Sequence, residues 1–217
     1  MDLEYFIRML KTETLYAKRK RCYEDPFEKH IPMDSPIFMK PNGGNTSPQP
    51  RMDERKKEAI NEYEKWAVMP TSCWTLDKEN NYLMWKSYAP NGIRIASTFN
   101  LFVSAICSDS NFSRDTCTLH YGSMEYGRFS KTVQSAFWKD IAYRGEHEFR
   151  FYFELEGDNC DTRECNGENG ICIPMNMGLL IKSVQISPFV NYTTAKEIER
   201  IFKCHYGIQH ISPVKIR

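Results

Sequence analysis

Apolar positions along the chain change their period several times, and each change marks an element. Leu3, Phe6, Ile7 and Leu10 recur at helical spacing, which predicts a helix over Leu3–Leu10. Leu15-Tyr16-Ala17 follows as a short strand, then a basic run, Lys18–Arg21, that reads as a solvated edge or, alternatively, a phosphate-binding patch. Ala59, Ile60, Tyr63 and Trp66 give a helix over Glu54–Val68 its apolar face, with Asp53 as its cap. Thr71–Leu76 reads as a buried strand, and Asp77 as the cap of a helix carrying Leu83, Met84, Trp85 and Tyr88. Asn91-Gly92 turns the chain into a strand over Ile93–Ser97, and Thr98 leads into a helix over Phe99–Cys107. Further strands are expected over Thr116–Tyr121, Met124–Tyr126 and Ile181–Ile186, with a helix over Ser130–Asp140. Ala195–Tyr206 is an amphipathic helix ended by Gly207, and Ile208–Ile216 a last strand that Pro213 confines to an edge.

The pattern is most informative over Lys139–Arg150, which runs straight into Phe151-Tyr152-Phe153. Read as a strand, it places Glu146, Glu148 and Arg150 on one face and His147, Phe149 and Phe151 on the other. Two readings are open. Either the charged face is wet and Arg150 simply pairs with Glu148, or the carboxylates line a cleft and do chemistry.

Strands and helices mix without a βαβ rhythm, so the expected fold is α+β: one domain over residues 1–217, with flanking helices and a mostly antiparallel sheet, whole or split. Residues 32–52, with five prolines and Asn42-Gly43-Gly44-Asn45, cannot form regular structure and read as a mobile loop or insertion, a lid being the alternative. Just before them, Tyr23-Glu24-Asp25-Pro26-Phe27-Glu28 sets an aromatic pair and acids around a proline, and Asp25 and Glu28 are candidates for the rim of a ligand cleft.

Composition narrows the classes. Hydrophobic residues make up 41% and charged residues 26%, and 29 Lys+Arg against 28 Asp+Glu leave a net charge of +1. No whole-chain field therefore advertises nucleic acid or an anionic membrane. Met1-Asp2-Leu3-Glu4 lacks the basic start of a signal peptide and no apolar run has the length of a membrane span, so the expected location is cytoplasmic. Of the eight cysteines, Cys22, Cys73, Cys107, Cys117 and Cys204 sit among apolar neighbours and read as reduced core residues. Cys160, Cys165 and Cys172 fall within residues 156–172, a Cys-, Asp- and Gly-rich hairpin insertion. With Cys204 or His205 they could complete a zinc site, but the paired Cys-x2-Cys spacing is missing. Incidental cysteines, with neither metal nor disulfide, are the expectation.

Glycine patterns that cradle phosphates, nucleophile elbows and zincin motifs are absent from the sequence. What remains is Trp85, Tyr88, Gly92, Ser97-Thr98 and the Lys139–Arg150 stretch. Ser97 and Thr98 at a strand end can bond a carboxylate or a ribose hydroxyl; the plain alternative is that Thr98 is a helix cap.

The order Asp25-Pro26-Phe27-Glu28, Met84-Trp85-x2-Tyr88, Ser97-Thr98, then Lys139-x3-Tyr143-x2-Glu146-x-Glu148-x-Arg150 resembles a bacterial and phage family known only as a domain of unknown function. More distantly, a strand ending in Ser-Thr followed by a strand with Glu-x-Glu is similar to the Arg–Ser–Glu class of ADP-ribosyltransferases. That second resemblance implies NAD as the substrate and no metal. Glu148 would stabilise the oxocarbenium-like transition state as nicotinamide leaves, and Glu146 would activate the acceptor. Ser97 and Thr98 would brace the site, Trp85, Tyr88 or Tyr143 would pack on the cofactor, and Lys139 and Arg150 would support it. The class grips the NAD phosphates with a basic residue on its first strand; this chain opens on a helix, leaving Arg19 or Arg21 to substitute. The implied role is a transferase, a toxin or phage–host conflict effector, with a protein or nucleic-acid acceptor. The competing expectation is a non-enzymatic interaction module in which the Glu and Arg side chains form a structural network.

Overall fold

The computed structural model describes residues 1–24, 57, 61, 64–78, 80–108, 117–127, 136–155 and 169–214. Helix α1 (Leu3–Thr12) runs into β1 (Thr14–Arg19), which ends in a 3-10 turn at Lys20–Cys22. Residues 64–68 are helical and lead into β2 (Pro70–Thr75). There follow α2 (Tyr82–Tyr88), β3 (Ile93–Ala96), α3 (Phe99–Cys107), β4 (Cys117–Ser123), β5 (Glu125–Gly127) and β6 (Trp138–Asp140). A 3-10 helix over Ile141–Glu146 delivers β7 (Glu148–Leu155). The chain closes with β8 (Gly170–Pro174), α4 (Met177–Leu180), β9 (Ser183–Ile186), α5 (Tyr192–Tyr206) and β10 (Ile211–Pro213).

Among the described residues the strands form a five-stranded sheet ordered β4–β7–β2–β1–β8, antiparallel throughout, and a three-stranded sheet ordered β10–β9–β3. A small parallel pair, β5–β6, stands beside them. The fold is α+β with a mostly antiparallel sheet and flanking helices, and the sheet is split. One apolar cluster joins the pieces: Phe6 of α1, Leu15 of β1, Ile93 of β3, Phe102 of α3, Phe151 of β7 and Phe202 of α5 all belong to it. The two-residue period of β3 shows how this is encoded. Ile93 and Ile95 are buried while Arg94 and Ala96 between them are half-buried. The C-terminal helix is bounded at both ends by its own sequence. The Asn191 side chain accepts from the Thr194 amide (2.9 Å), and Gly207 at φ 66° takes the left-handed position that stops α5.

Several expectations are corrected. The helix expected over Ser130–Asp140 does not reach its end: Trp138–Asp140 is a strand, because Tyr126 of β5 pairs with Lys139 and draws the segment into a ladder. The cap of α2 is Asn81, whose side chain accepts from the Leu83 and Met84 amides (3.1 and 3.3 Å), while the Asp77 carboxylate is occupied by His147 and Asn81. β1 lies between β2 and β8 rather than at an edge, and Lys20 is buried, so the basic run is not a solvated rim. Glu146 stands in the 3-10 helix, one residue short of the strand, and His147 turns the chain at φ 43°. Of the cysteines expected in the core, Cys117 is half-buried and packs against the apolar cluster, Cys22 is half-buried, and Cys73 and Cys204 are exposed; the Cys107 side chain lies outside those described. Cys172, buried on β8, is disulfide-bonded, which corrects the expectation of a chain without disulfides. Asp25, Glu28, residues 32–52, Cys160 and Cys165 lie outside the described residues. No described helix is long and apolar enough to cross a membrane.

Candidate functional site

A cavity of about 1140 Å³ opens between the two larger sheets, walled by β2, β3, α2 and the start of β7. Ser97 and Thr98 from the end of β3 line it, and so do Glu146, Glu148 and Arg150 from the β7 region. Trp85 and Tyr88 of α2 and Lys139 of β6 complete the polar and aromatic wall. Eight of the residues singled out by sequence thus border one hollow. Three do not. Arg19 spends a guanidinium nitrogen on the Val68 carbonyl (2.8 Å), Arg21 stands on the neighbouring 3-10 turn, and Tyr143 lies behind Lys139, whose ammonium sits 4.4 Å from its ring centre.

Strand register fixes the charged wall. Cys73 lies directly across the ladder from Arg150, and Thr75 across from Glu148, so all four share one face of the sheet. Arg150 is 1% exposed and Glu148 6%. Burial at that depth requires partners, and Arg150 is the first of them: its Nε donates to Glu148 Oε1 (2.5 Å) and its Nη2 to Oε2 (2.9 Å). Lys139, also buried, donates through Nζ to Glu148 Oε2 (3.2 Å) and Glu146 Oε2 (2.6 Å). The other oxygen of Glu146 accepts from the Tyr88 hydroxyl at 2.6 Å. Two carboxylates and two cations therefore interlock in a neutral quartet. The Glu148 amide donates to the Tyr126 hydroxyl (2.7 Å), and the Tyr152 hydroxyl to the Ala136 carbonyl (2.6 Å), so the flanking phenols are committed as well.

The electrostatics follow from these contacts. Burial by itself would raise the Glu148 pKa, but the Arg150 guanidinium and then Lys139 outweigh it and hold the carboxyl below its ordinary value. Tyr88 is pushed well up, first by burial and then by its bond to Glu146, so its hydroxyl stays protonated and donating. Cys73 lines the cavity wall, and burial of its thiol, with Glu148 adding to it, pushes the pKa up to about 12 despite the nearby Arg150. A thiol held neutral is a poor nucleophile, so Cys73 is not set up for covalent chemistry.

Trp85 is 4% exposed and packs its indole into the wall, while Tyr88 is 53% exposed and presents its ring to the cavity mouth. Thr98 caps α3 by accepting from the Leu101 amide (3.3 Å), and Ser97 donates to the Leu180 carbonyl (2.6 Å). Both hydroxyls thus hold the β3 end in place while lining the cavity.

Beyond Lys18 of the basic run, sequence reasoning missed several lining groups. Lys18, Lys78 and Lys182 border the cavity and make no ion pair among the described residues. Asp77 also lines it; burial favours its neutral form, but hydrogen bonds from His147 and Asn81 prevail and keep its pKa low. Arg94 joins them between two buried isoleucines, and that alternation was the available signal for an inward polar group. Lys18 belongs to the basic run that the sequence also offered as a phosphate-binding patch, whereas Lys78 after β2 and Lys182 before β9 carried no local signal. No family model, curated protein or solved structure matches this chain.

Proposed function

We propose that the cavity takes NAD and that the chain is an ADP-ribosyltransferase. The bond from ribose C1′ to the nicotinamide nitrogen breaks, nicotinamide leaves with the electron pair, and C1′ bonds to an acceptor nucleophile whose proton passes to a carboxylate. The observation that carries this reading is convergence. Ser97-Thr98 and Glu146/Glu148, far apart in sequence, border one hollow of dinucleotide size. A fixed, partly desolvated carboxylate is what a cationic sugar transition state requires, and this hollow holds two. The ammonium groups of Lys18, Lys78 and Lys182, without an ion pair among the described residues, favour a ligand bearing phosphates. A protein or nucleic-acid acceptor, and a place in conflict between phage and host, accord with such an activity.

Calorimetry with NAD and chromatographic detection of released nicotinamide test the reading together. Saturable binding with nicotinamide release is expected; absence of both at millimolar NAD sinks it.

A second reading has its own observation. The double hydrogen bond from a 1%-exposed Arg150 to Glu148 is also what a purely structural network would contain. On that account the chain is a binding module with no chemistry. A folded protein blind to NAD that retains one stoichiometric partner would favour it.

A further inference from the structure

The two carboxylates of the cavity are held differently, and the difference assigns them different work. We infer that Glu146 is the carboxylate that meets the ligand, through a sugar hydroxyl that takes the place of the Tyr88 hydroxyl, and that Glu148 is a fixed part of the wall. This rests on the proposed NAD site and divides the labour within it, reversing the order that the transferase resemblance implies.

Glu148 has both oxygens taken by groups that cannot leave. Arg150 holds each of them, at 2.5 and 2.9 Å, and is itself buried in the sheet; Lys139 adds a third bond at 3.2 Å. Three of the roughly four acceptor positions of this carboxylate are thus filled by buried cations, and displacing either cation would leave a buried charge unpaired. Glu146 is less enclosed, its side chain 16% exposed against 6% for Glu148. Its Oε2 is held by Lys139, but its Oε1 is bonded, among the described residues, only by Tyr88, a half-exposed residue on another element. A phenol hydroxyl at 2.6 Å occupies the position, and makes the hydrogen bond, that a ribose hydroxyl would make. Because Tyr88 stays protonated, it is a neutral donor whose replacement by another hydroxyl leaves the charge of the site unchanged.

The backbone beneath Glu146 is fixed, so the side chain is presented rather than loose. Thr75 Oγ1 donates to the Glu146 carbonyl (2.9 Å), Asn81 Nδ2 to the Gly145 carbonyl (2.9 Å), and the Leu76 amide to the His147 carbonyl (2.9 Å). His147 Nδ1 meets Asp77 Oδ1 at 2.5 Å, and His147 holds φ 43°, a left-handed conformation that a non-glycine residue adopts only when its surroundings impose it. Four ties from 75–81 thus secure the turn that carries this carboxylate.

The test compares Glu146→Gln with Glu148→Gln and labels the carboxylates of the unsubstituted protein with a carbodiimide and glycine ethyl ester, read by peptide mass spectrometry. Glu146→Gln keeps an amide oxygen for Lys139, whose charge Glu148 still meets, so it is expected to melt no more than about 4 °C lower while losing about 100-fold or more of nicotinamide release. Glu148→Gln is expected to melt about 6 °C or more lower, whatever its activity. Glu146 should take label before Glu148, and ADP-ribose as probe should slow that labelling. Full activity in Glu146→Gln, with activity lost from a normally stable Glu148→Gln, overturns the assignment while the NAD reading stands. If the unsubstituted protein neither binds ADP-ribose nor cleaves NAD, the NAD reading falls. The labelling order then decides alone, and earlier labelling of Glu148 overturns the assignment.

Discussion

On one face of β7, Phe149, Phe151 and Phe153 turn into the apolar core; on the other, Glu148, Arg150 and Tyr152 are enclosed as deeply but are polar. Phe153 and Tyr152 are both at 0% exposure and Arg150 is at 1%, so burial does not separate the two faces. What separates them is how burial is stabilised. The phenylalanines gain from contact with any well-packed neighbour, as in the stack of Phe151 on Phe102, with ring centres 3.8 Å apart. The polar face gains nothing until each donor and acceptor finds its own partner; Arg150 and Glu148 find each other on β7, and the remaining partners come from elsewhere: Lys139 from β6, Tyr126 from β5, the carbonyl of Ala136. An apolar face accepts any well-packed surface; a buried polar face requires particular atoms, some from its own strand and the rest from several other elements.

The comparison predicts where substitutions cost most. Arg150→Ala leaves the Glu148 carboxylate buried with only Lys139 for charge, and about 3–5 kcal/mol of stability should be lost in urea unfolding. Phe153→Ala opens a cavity in the core and should lose a similar 3–5 kcal/mol or so. Equal losses with different acid behaviour would confirm that the faces are held by different means; a loss under about 1 kcal/mol for Arg150→Ala would show the polar face to be ornamental.

Acid sensitivity comes next in size. The folded pKa of Glu148 lies below its ordinary 4.5, so the unfolded chain binds this proton more readily than the folded one. Stability therefore rises with pH through that region. The Glu148 contribution is fully present above the ordinary value and is lost as pH falls through the lowered folded value. Urea midpoints taken from neutral pH downward should trace this loss, and the limb should flatten in Glu148→Gln but persist in Phe153→Ala. An unchanged limb in Glu148→Gln would place the acid sensitivity elsewhere.

Smaller still is the cost of replacing both charges. Glu148→Leu with Arg150→Met removes the pair together and leaves Lys139 its bond to Glu146, so most of the stability lost in Arg150→Ala should return. Recovery would show that the pair is kept for the cavity rather than for the fold. Smallest is Tyr152→Phe, which strands the Ala136 carbonyl and should cost about 1–3 kcal/mol, measured in the same way.

Much of this was legible in the residues. The alternation of Glu148, Phe149, Arg150 and Phe151 announced two faces, and Asn191 and Gly207 announced the bounds of α5. Glu146 was harder to place: alternation extended back through it, but the chain turns at His147, and left-handed φ at a histidine has no sequence signal. Lys139 was read as the end of a helix because its segment holds apolar residues at both spacings; pairing with β5 decided the matter. Lys18, Lys78 and Lys182 of the cavity wall lie on β1, after β2 and before β9, and only folding brings them to one hollow.

Local order in this protein was settled by the chain itself, since period, caps and turn residues act within a few positions of one another. That fixed the mixed α and β character, the apolar side of each strand and the ends of the last helix. Only the tertiary structure decided that a polar strand face is buried rather than wet, which of two neighbouring acids is locked and which can be reached, and that the end of β3 shares a hollow with them. Those outcomes depend on atoms brought together from distant parts of the chain, and the strength of a buried charge pair is set by that meeting, not by the spacing of its members in sequence.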